Sequence, residues 1–194
     1  MFSPLNLNSA QFLPWWFNWH SRRISLLSSF WREFKGSDSS LSSPKLLPHR
    51  GSHPCRKIAF TIQAHDQGWG GDAGYQGTYQ RSYTWFDAYI LNGNAPTEPD
   101  RPFIPASCHL QTNRAATREI KRHHIIWHYL DAIGPDSEEA LRIQREDGRG
   151  SETLDGSKVR SMKLGDTVSV WARARFPGWV NHVKSLSVRV FWAI

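Results

Sequence analysis

The last thirty residues constrain the fold more than any other part of the chain. After Gly165-Asp166, the residues Val168, Val170, Ala172 and Ala174 alternate with Thr167, Ser169, Trp171, Arg173 and Arg175. Pro177-Gly178 interrupts the pattern. A second run then places Leu186, Val188, Val190, Trp192 and Ile194 on one face, with Ser187, Arg189, Phe191 and Ala193 on the other. Side chains of a strand point alternately to opposite faces, so period-2 alternation in β-branched and aromatic residues predicts half-buried strands.

Shorter signals upstream agree. Ile58, Phe60, Ile62 and Ala64 alternate. Arg81–Leu91 carries Tyr83, Trp85 and Tyr89 against Phe86 and Ile90, and ends at Asn92-Gly93. Pro96, Pro99, Pro102 and Pro105 mark a long loop, followed by a short strand at Ser107–Gln111. Within Glu119–Leu130, Ile125, Trp127 and Tyr129 alternate with Ile126, His128 and Leu130, which predicts a strand buried on both faces. Ser137 before Glu138 and Glu139 predicts a helix start, with the helix running to about Glu146. Ser157–Met162 reads as a further strand after a polar Gly loop. The expected fold is all-β: an antiparallel two-sheet sandwich of jelly-roll or galactose-binding-like type, with one short helix.

Residues 1–56 read as a basic, Ser/Pro/Trp-rich extension, non-globular and either disordered or partly helical, and residues 57–194 as the sandwich. Phe17, Ile24, Leu27, Trp31 and Phe34 fall at helical spacing, which would give an amphipathic face able to touch a membrane surface. Arg and Ser content with few acids also fits mitochondrial targeting by residues 1–35, and a segment without a specific role is the third reading. The apolar stretch is too short to span a bilayer.

Charge and cysteine use narrow the function classes. The net charge of +7 comes mostly from residues 1–57, whose eight Lys/Arg face two Asp/Glu; residues 58–194 carry sixteen against fifteen. A nucleic-acid-binding domain is expected to hold its charge on the fold, so no nucleic-acid partner is expected. Cys55 and Cys108 cannot form a disulfide framework, and the sequence contains no Asn-x-Ser/Thr sequon. Both features point to a reducing interior, and the cytoplasm is the expected compartment.

Four blocks carry a resemblance. His65-Asp66-Gln67-Gly68-Trp69-Gly70, Gly77-Thr78-Tyr79, Ser82-Tyr83-Thr84-Trp85-Phe86, and Gly165-Asp166 with Val170-Trp171-Ala172-Arg173-Ala174-Arg175-Phe176-Pro177-Gly178-Trp179-Val180-Asn181-His182-Val183 resemble a domain of uncharacterised fungal proteins. In that group the domain sometimes accompanies ankyrin repeats. The resemblance covers residues 57–194 and implies no activity. A weaker, architectural similarity links it to jelly-roll glycan-binding modules such as F-box-associated domains, and architecture alone does not fix function.

Candidate chemistry lies in the loops. Asp66–Gly74 offers glycines for close backbone approach, a flat Trp69 face, and acceptors on Asp66, Gln67 and Asp72. That set suits a sugar, whose C–H faces pack on an aromatic ring while its hydroxyls bond carboxylates and amides. It also suits Ca²⁺, and equally a plain connection whose Trp caps the core. Trp179, Asn181 and His182 follow a type II turn signal, so they either bind at the sandwich end or plug it. Arg173 and Arg175, with Trp171 and with Arg189 if the two last strands pair, form either an anion-binding face or one that answers Asp87 or Glu119. His124 and His128 stand at zinc-ligand spacing only on a helix, and the strand pattern argues against that. No serine elbow or phosphate loop is present.

The expected function is a non-enzymatic binding module without a cofactor, Ca²⁺ being the one ion considered. A carbohydrate or glycoconjugate would sit between Asp66–Gly74 and Gly178–His182 on Trp69 and Trp179. The alternatives are a protein-interaction scaffold using the Trp171/Arg173/Arg175 face, and a hydrolase in which Asp66 and Asp72 converge.

Overall fold

The structure, a computed structural model, describes residues 53–91 and 108–193, together with the backbone of Ser21–Leu26. It has seven strands: β1 (Ser21–Leu26), β2 (Cys55–His65), β3 (Thr84–Leu91), β4 (Cys108–Thr112), β5 (Lys121–His128), β6 (Thr167–Ala174) and β7 (His182–Trp192). They form two antiparallel sheets, ordered β1-β6-β3-β4 and β5-β2-β7. The expected two-sheet sandwich is therefore present. The chain changes sheet between most consecutive strands.

The core follows from the alternation. Phe86, Ala88, Leu110, Val168 and Val170 of the first sheet face Ile58, Phe60, Ile62, Ile125, Trp127, Leu186, Val188 and Val190 of the second. Phe60 and Trp127 pack at 4.8 Å between ring centroids. Both are fully enclosed, and burying an aromatic side chain of this size contributes on the order of 2–3 kcal/mol. Cys55 and Cys108 are free thiols within this core, and burial pushes the Cys55 thiol up to about 12.

Helix α1 (Glu138–Asp147) starts where the sequence predicts. The Ser137 hydroxyl accepts from the Ala140 amide at 3.2 Å, and Gly148 ends the helix at φ +71°. The segment after it closes one side of the sandwich. Arg149 Nη2 donates to the Ile126 carbonyl on the edge strand β5 at 2.7 Å. The Thr112 amide donates to Gly148 at 2.8 Å and the Gly150 amide to Leu110, both along β4. Gly150 is obligatory, because a Cβ there would meet the His109 carbonyl. One short strap thus covers the edges of both sheets, which would otherwise present unpaired backbone groups.

Four expectations are corrected. Ser157–Met162 is not a strand: Ser157–Ser161 forms a short helix, α2. The Asp155 carboxylate accepts from the Ser157 amide at 2.9 Å just ahead of it, and Val159 and Met162, three apart, turn one face into the core. Strand β5 is buried on one face only; His123, Ile125 and Trp127 point inward while Arg122, His124 and Ile126 are exposed, because none of the described residues covers the outer side. The helical face expected through Ile24 is instead strand backbone over Ser21–Leu26, where pairing with β6 satisfies that strand's open edge; Phe17, Leu27, Trp31 and Phe34 lie outside the described residues. Finally, β6 and β7 do not pair. The turn at Pro177-Gly178 carries the chain from one sheet to the other, so Arg189 does not share a surface with Trp171 and Arg173.

Inward-facing His123 makes stability depend on pH. Its side chain is buried against Tyr79, its Nε2 has no hydrogen-bond partner among the described residues, and burial, with Lys121 and Arg114 nearby, lowers its pKa to about 4. The unfolded chain takes up a proton near the ordinary histidine value while the folded chain does not. The associated stability is full above about pH 6.5 and declines by about 3 kcal/mol as pH falls to about 4. Urea titrations between pH 7.5 and 4 should show this loss and His123→Phe should reduce it. A residual slope is expected from His109 and His182, whose values burial also lowers. An equal slope in His123→Phe would refute the assignment.

Candidate functional site at the loop end of the sandwich

The ends of β2, β4 and β6 and the starts of β3, β5 and β7 meet at one end of the sandwich. A polar chain ties the two sheets together there. Asp66, just after β2, is buried; its Oδ1 accepts from the Thr84 hydroxyl at 3.0 Å and its Oδ2 from the Ala116 amide at 2.7 Å. Asn113 Nδ2 donates to the Thr84 hydroxyl at 3.0 Å and to Asn181 Oδ1 at 2.9 Å. Asn181 Nδ2 in turn donates to the carbonyls of Trp85 at 2.9 Å and Arg173 at 3.3 Å. Asp66 and Asn181 belong to the second sheet's connections and their partners to the first, so the chain acts as a lock between layers.

Above the lock lies an aromatic cluster. Trp69 and Trp179 pack at 5.2 Å between centroids, Phe176 and Trp179 at 5.4 Å, and Tyr83 and Phe176 at 5.0 Å. Trp69 is 52% exposed and Trp179 half-buried beneath it. Two glycines allow this packing. Gly68, at φ +85°, passes under Arg118, whose side chain a Cβ would strike; a Cβ on Gly70, at φ +80°, would stand 3.2 Å from the Trp179 ring. Gln67 is buried beside Gly70 and donates to the Trp69 carbonyl at 2.8 Å, while its Oε1 has no partner among the described residues.

The sequence-derived residues separate into groups. Trp69, Gln67 and Trp179 come together as expected, with exposed Arg175 over Phe176 at 5.7 Å. Asp66 and Asn181 lie beneath, in the lock. Asp72 is bonded to Arg81 at 2.6 Å near the surface, so Asp66 and Asp72 are held by different partners. Among the described residues no group of three His, Cys, Asp or Glu could hold a metal ion. His182 stacks on His65 at 4.6 Å, on the outer side of the second sheet.

Arg173 stands on the outer side of the first sheet. Its Nε donates to Asp87 at 3.1 Å, its Nη2 to the Tyr89 hydroxyl at 3.1 Å, and it lies over Trp171 at 4.8 Å. Burial raises the Asp87 carboxyl above its ordinary value, although Arg173 and His109 oppose the shift. This is the arrangement in which Arg173 answers Asp87. Thr84, Asn113 and Tyr83 are not among the site residues that the sequence suggests. Thr84 reads as an ordinary strand residue, and Asn113 follows a weak strand with no motif around it.

An open depression of about 510 Å³ lies at the opposite end, lined by His53, Tyr129, Asp131, Asp155 and Arg160 among others. Arg160 there donates to the carbonyls of Tyr129, Asp131 and Asp155, a structural commitment that leaves little for a ligand. No helix of the described residues is long and apolar enough to cross a membrane. No family model matches the chain, and neither a curated protein nor a solved structure matches it.

The lock and the aromatic cluster should respond differently to truncation. Asn181→Ala strands two carbonyls and the Asn113 amide, so unfolding in urea should show a loss of about 2–4 kcal/mol. Trp69→Ala should cost under about 1 kcal/mol, because the ring is half in water. A larger loss for Trp69 than for Asn181 would make Trp69 a core residue.

Proposed function

We propose that the protein is a non-enzymatic binding module whose ligand, a carbohydrate or glycoconjugate, sits on the aromatic end of the sandwich. The observation that carries this reading is Trp69, a large ring kept half-exposed on Trp179 at a loop end. Exposed indole faces attract the C–H faces of sugars, and the neighbouring Gln67 Oε1 and backbone groups of the Gly-rich loop supply hydrogen-bonding capacity. The scaffold alternative draws on Arg173, which already spends its guanidinium on Asp87 and Tyr89. We further propose kinship with the fungal domain group that the four sequence blocks resemble. A reducing compartment such as the cytoplasm is supported by the two free thiols in the core.

The test is a thermal-shift and calorimetric screen of the full chain against neutral and acidic mono- and oligosaccharides. A ligand binding only the folded state adds about 2.7 kcal/mol at a hundredfold over its dissociation constant. A sugar should raise the midpoint of the wild type, Trp69→Phe should retain part of the effect, and Trp69→Ala should abolish it with its fold intact. Shifts unaffected by Trp69→Ala, or silence from every sugar, would overturn the reading.

A further inference from the structure

Strands β2, β5 and β7 contain no Asp or Glu at all. Their register aligns the outward residues in rows: Arg122, Gln63 and Ser185; His124, Thr61 and Ser187; Ile126, Ala59 and Arg189; His128, Lys57 and Phe191. Arg122, His124 and Arg189 are exposed. The floor along β2 is low, with Ala59 and Thr61 at its centre, and cations rise from the flanking strands. Successive outward residues on a strand stand about 6.7 Å apart. The first carboxylates met along β5 are Glu119 before its start and Asp131 after its end. At the loop end the same face runs into the His65–His182 stack, three residues from Trp179.

We propose that this outward sheet face is a track for an acidic glycan, a chain of sulfated or uronic-acid sugars, that continues from the Trp69–Trp179 end. The inference rests on the glycan reading above and names the class of sugar. Like charges gathered on one face whose strands carry no acids repel each other, and an anionic partner relieves that repulsion. Guanidinium forks hold sulfate or carboxylate oxygens in pairs. Between them, Thr61, Gln63, Ser185 and Ser187 offer the hydroxyl and amide groups that bond sugar hydroxyls. Nucleic acid fits less well: the four rows hold no Trp or Tyr, and their Phe191 lies under Lys57 at 4.3 Å, so bases would find only the smaller imidazole rings of His124 and His128 to stack on.

The experiment measures binding of the full chain to three probes by calorimetry. They are a heparin octasaccharide, its desulfated and carboxyl-reduced neutral counterpart, and an oligouridine of matched charge. Arg122→Glu/Arg189→Glu should weaken octasaccharide binding at least about tenfold, with an unchanged circular dichroism spectrum. The control Arg142→Glu/Arg145→Glu, on exposed positions of α1, should change it less than about twofold. Equal weakening by both variants would mean attraction by net charge and would overturn the proposal. So would tighter binding of oligouridine. Binding of the neutral sugar alone would overturn the acidic track and leave the aromatic site standing; failure of every sugar would remove both.

Discussion

Hydrogen bonds of Asn181 set the geometry of one whole end of the sandwich. Two sheets that meet only through apolar side chains could slide, since hydrophobic contact has no preferred direction. The Asn181 amide fixes the slide by bonding two carbonyls of the opposite sheet at once, on β3 and β6. Asp66 does the same from the other connection, through Thr84. The two connections that emerge from these anchors bear Trp69 and Trp179, so the rings meet because the lock holds their backbones in place. The polar layer is buried, and each broken member leaves partners without water, which gives the arrangement its rigidity.

Much of the fold was legible in the sequence because alternation is a local signal. β6 and β7 reproduce their inward faces nearly residue by residue, and Ser137 marks α1 through its cap. The misread segments are those where local pattern and tertiary environment diverge. Val159 and Met162 suit a strand or a short helix, and only the Asp155–Ser157 hydrogen bond and the core beside them favour the helix. β5 carries Ile126 among the polar residues of its outer face, which suggests burial on both sides, yet among the described residues only the inner face with Ile125 and Trp127 is covered. At the loop end, aromatic residues beside glycines announced themselves. Thr84 and Asn113 did not, because a hydroxyl or amide becomes an anchor only when a distant partner such as Asp66 or Asn181 arrives beside it.

Charge offers a related lesson. The sequence of residues 58–194 is nearly neutral in sum, with sixteen basic against fifteen acidic residues. Neutrality of the sum says nothing about distribution. Among the described residues the acids sit in loops, in the short helical turn at Ser151–Thr153, on α1 and on β3, while the β5-β2-β7 sheet has none. A field is felt locally, within about a Debye length, so it is this segregation and not the total that a partner meets.

The pairing of β2 with β7 has a kinetic consequence. β2 is the central strand of its sheet, yet one of its two neighbours comes from the far end of the domain, with Pro54 bonded to Ala193. Contacts so distant along the chain are expensive in loop entropy and form slowly. During synthesis, β2 leaves the ribosome with its Ile58, Phe60 and Ile62 stripe long before β7 exists to complete the sheet. The nascent chain therefore spends that interval with an apolar strand half-paired, a state in which holding chaperones have something to recognise.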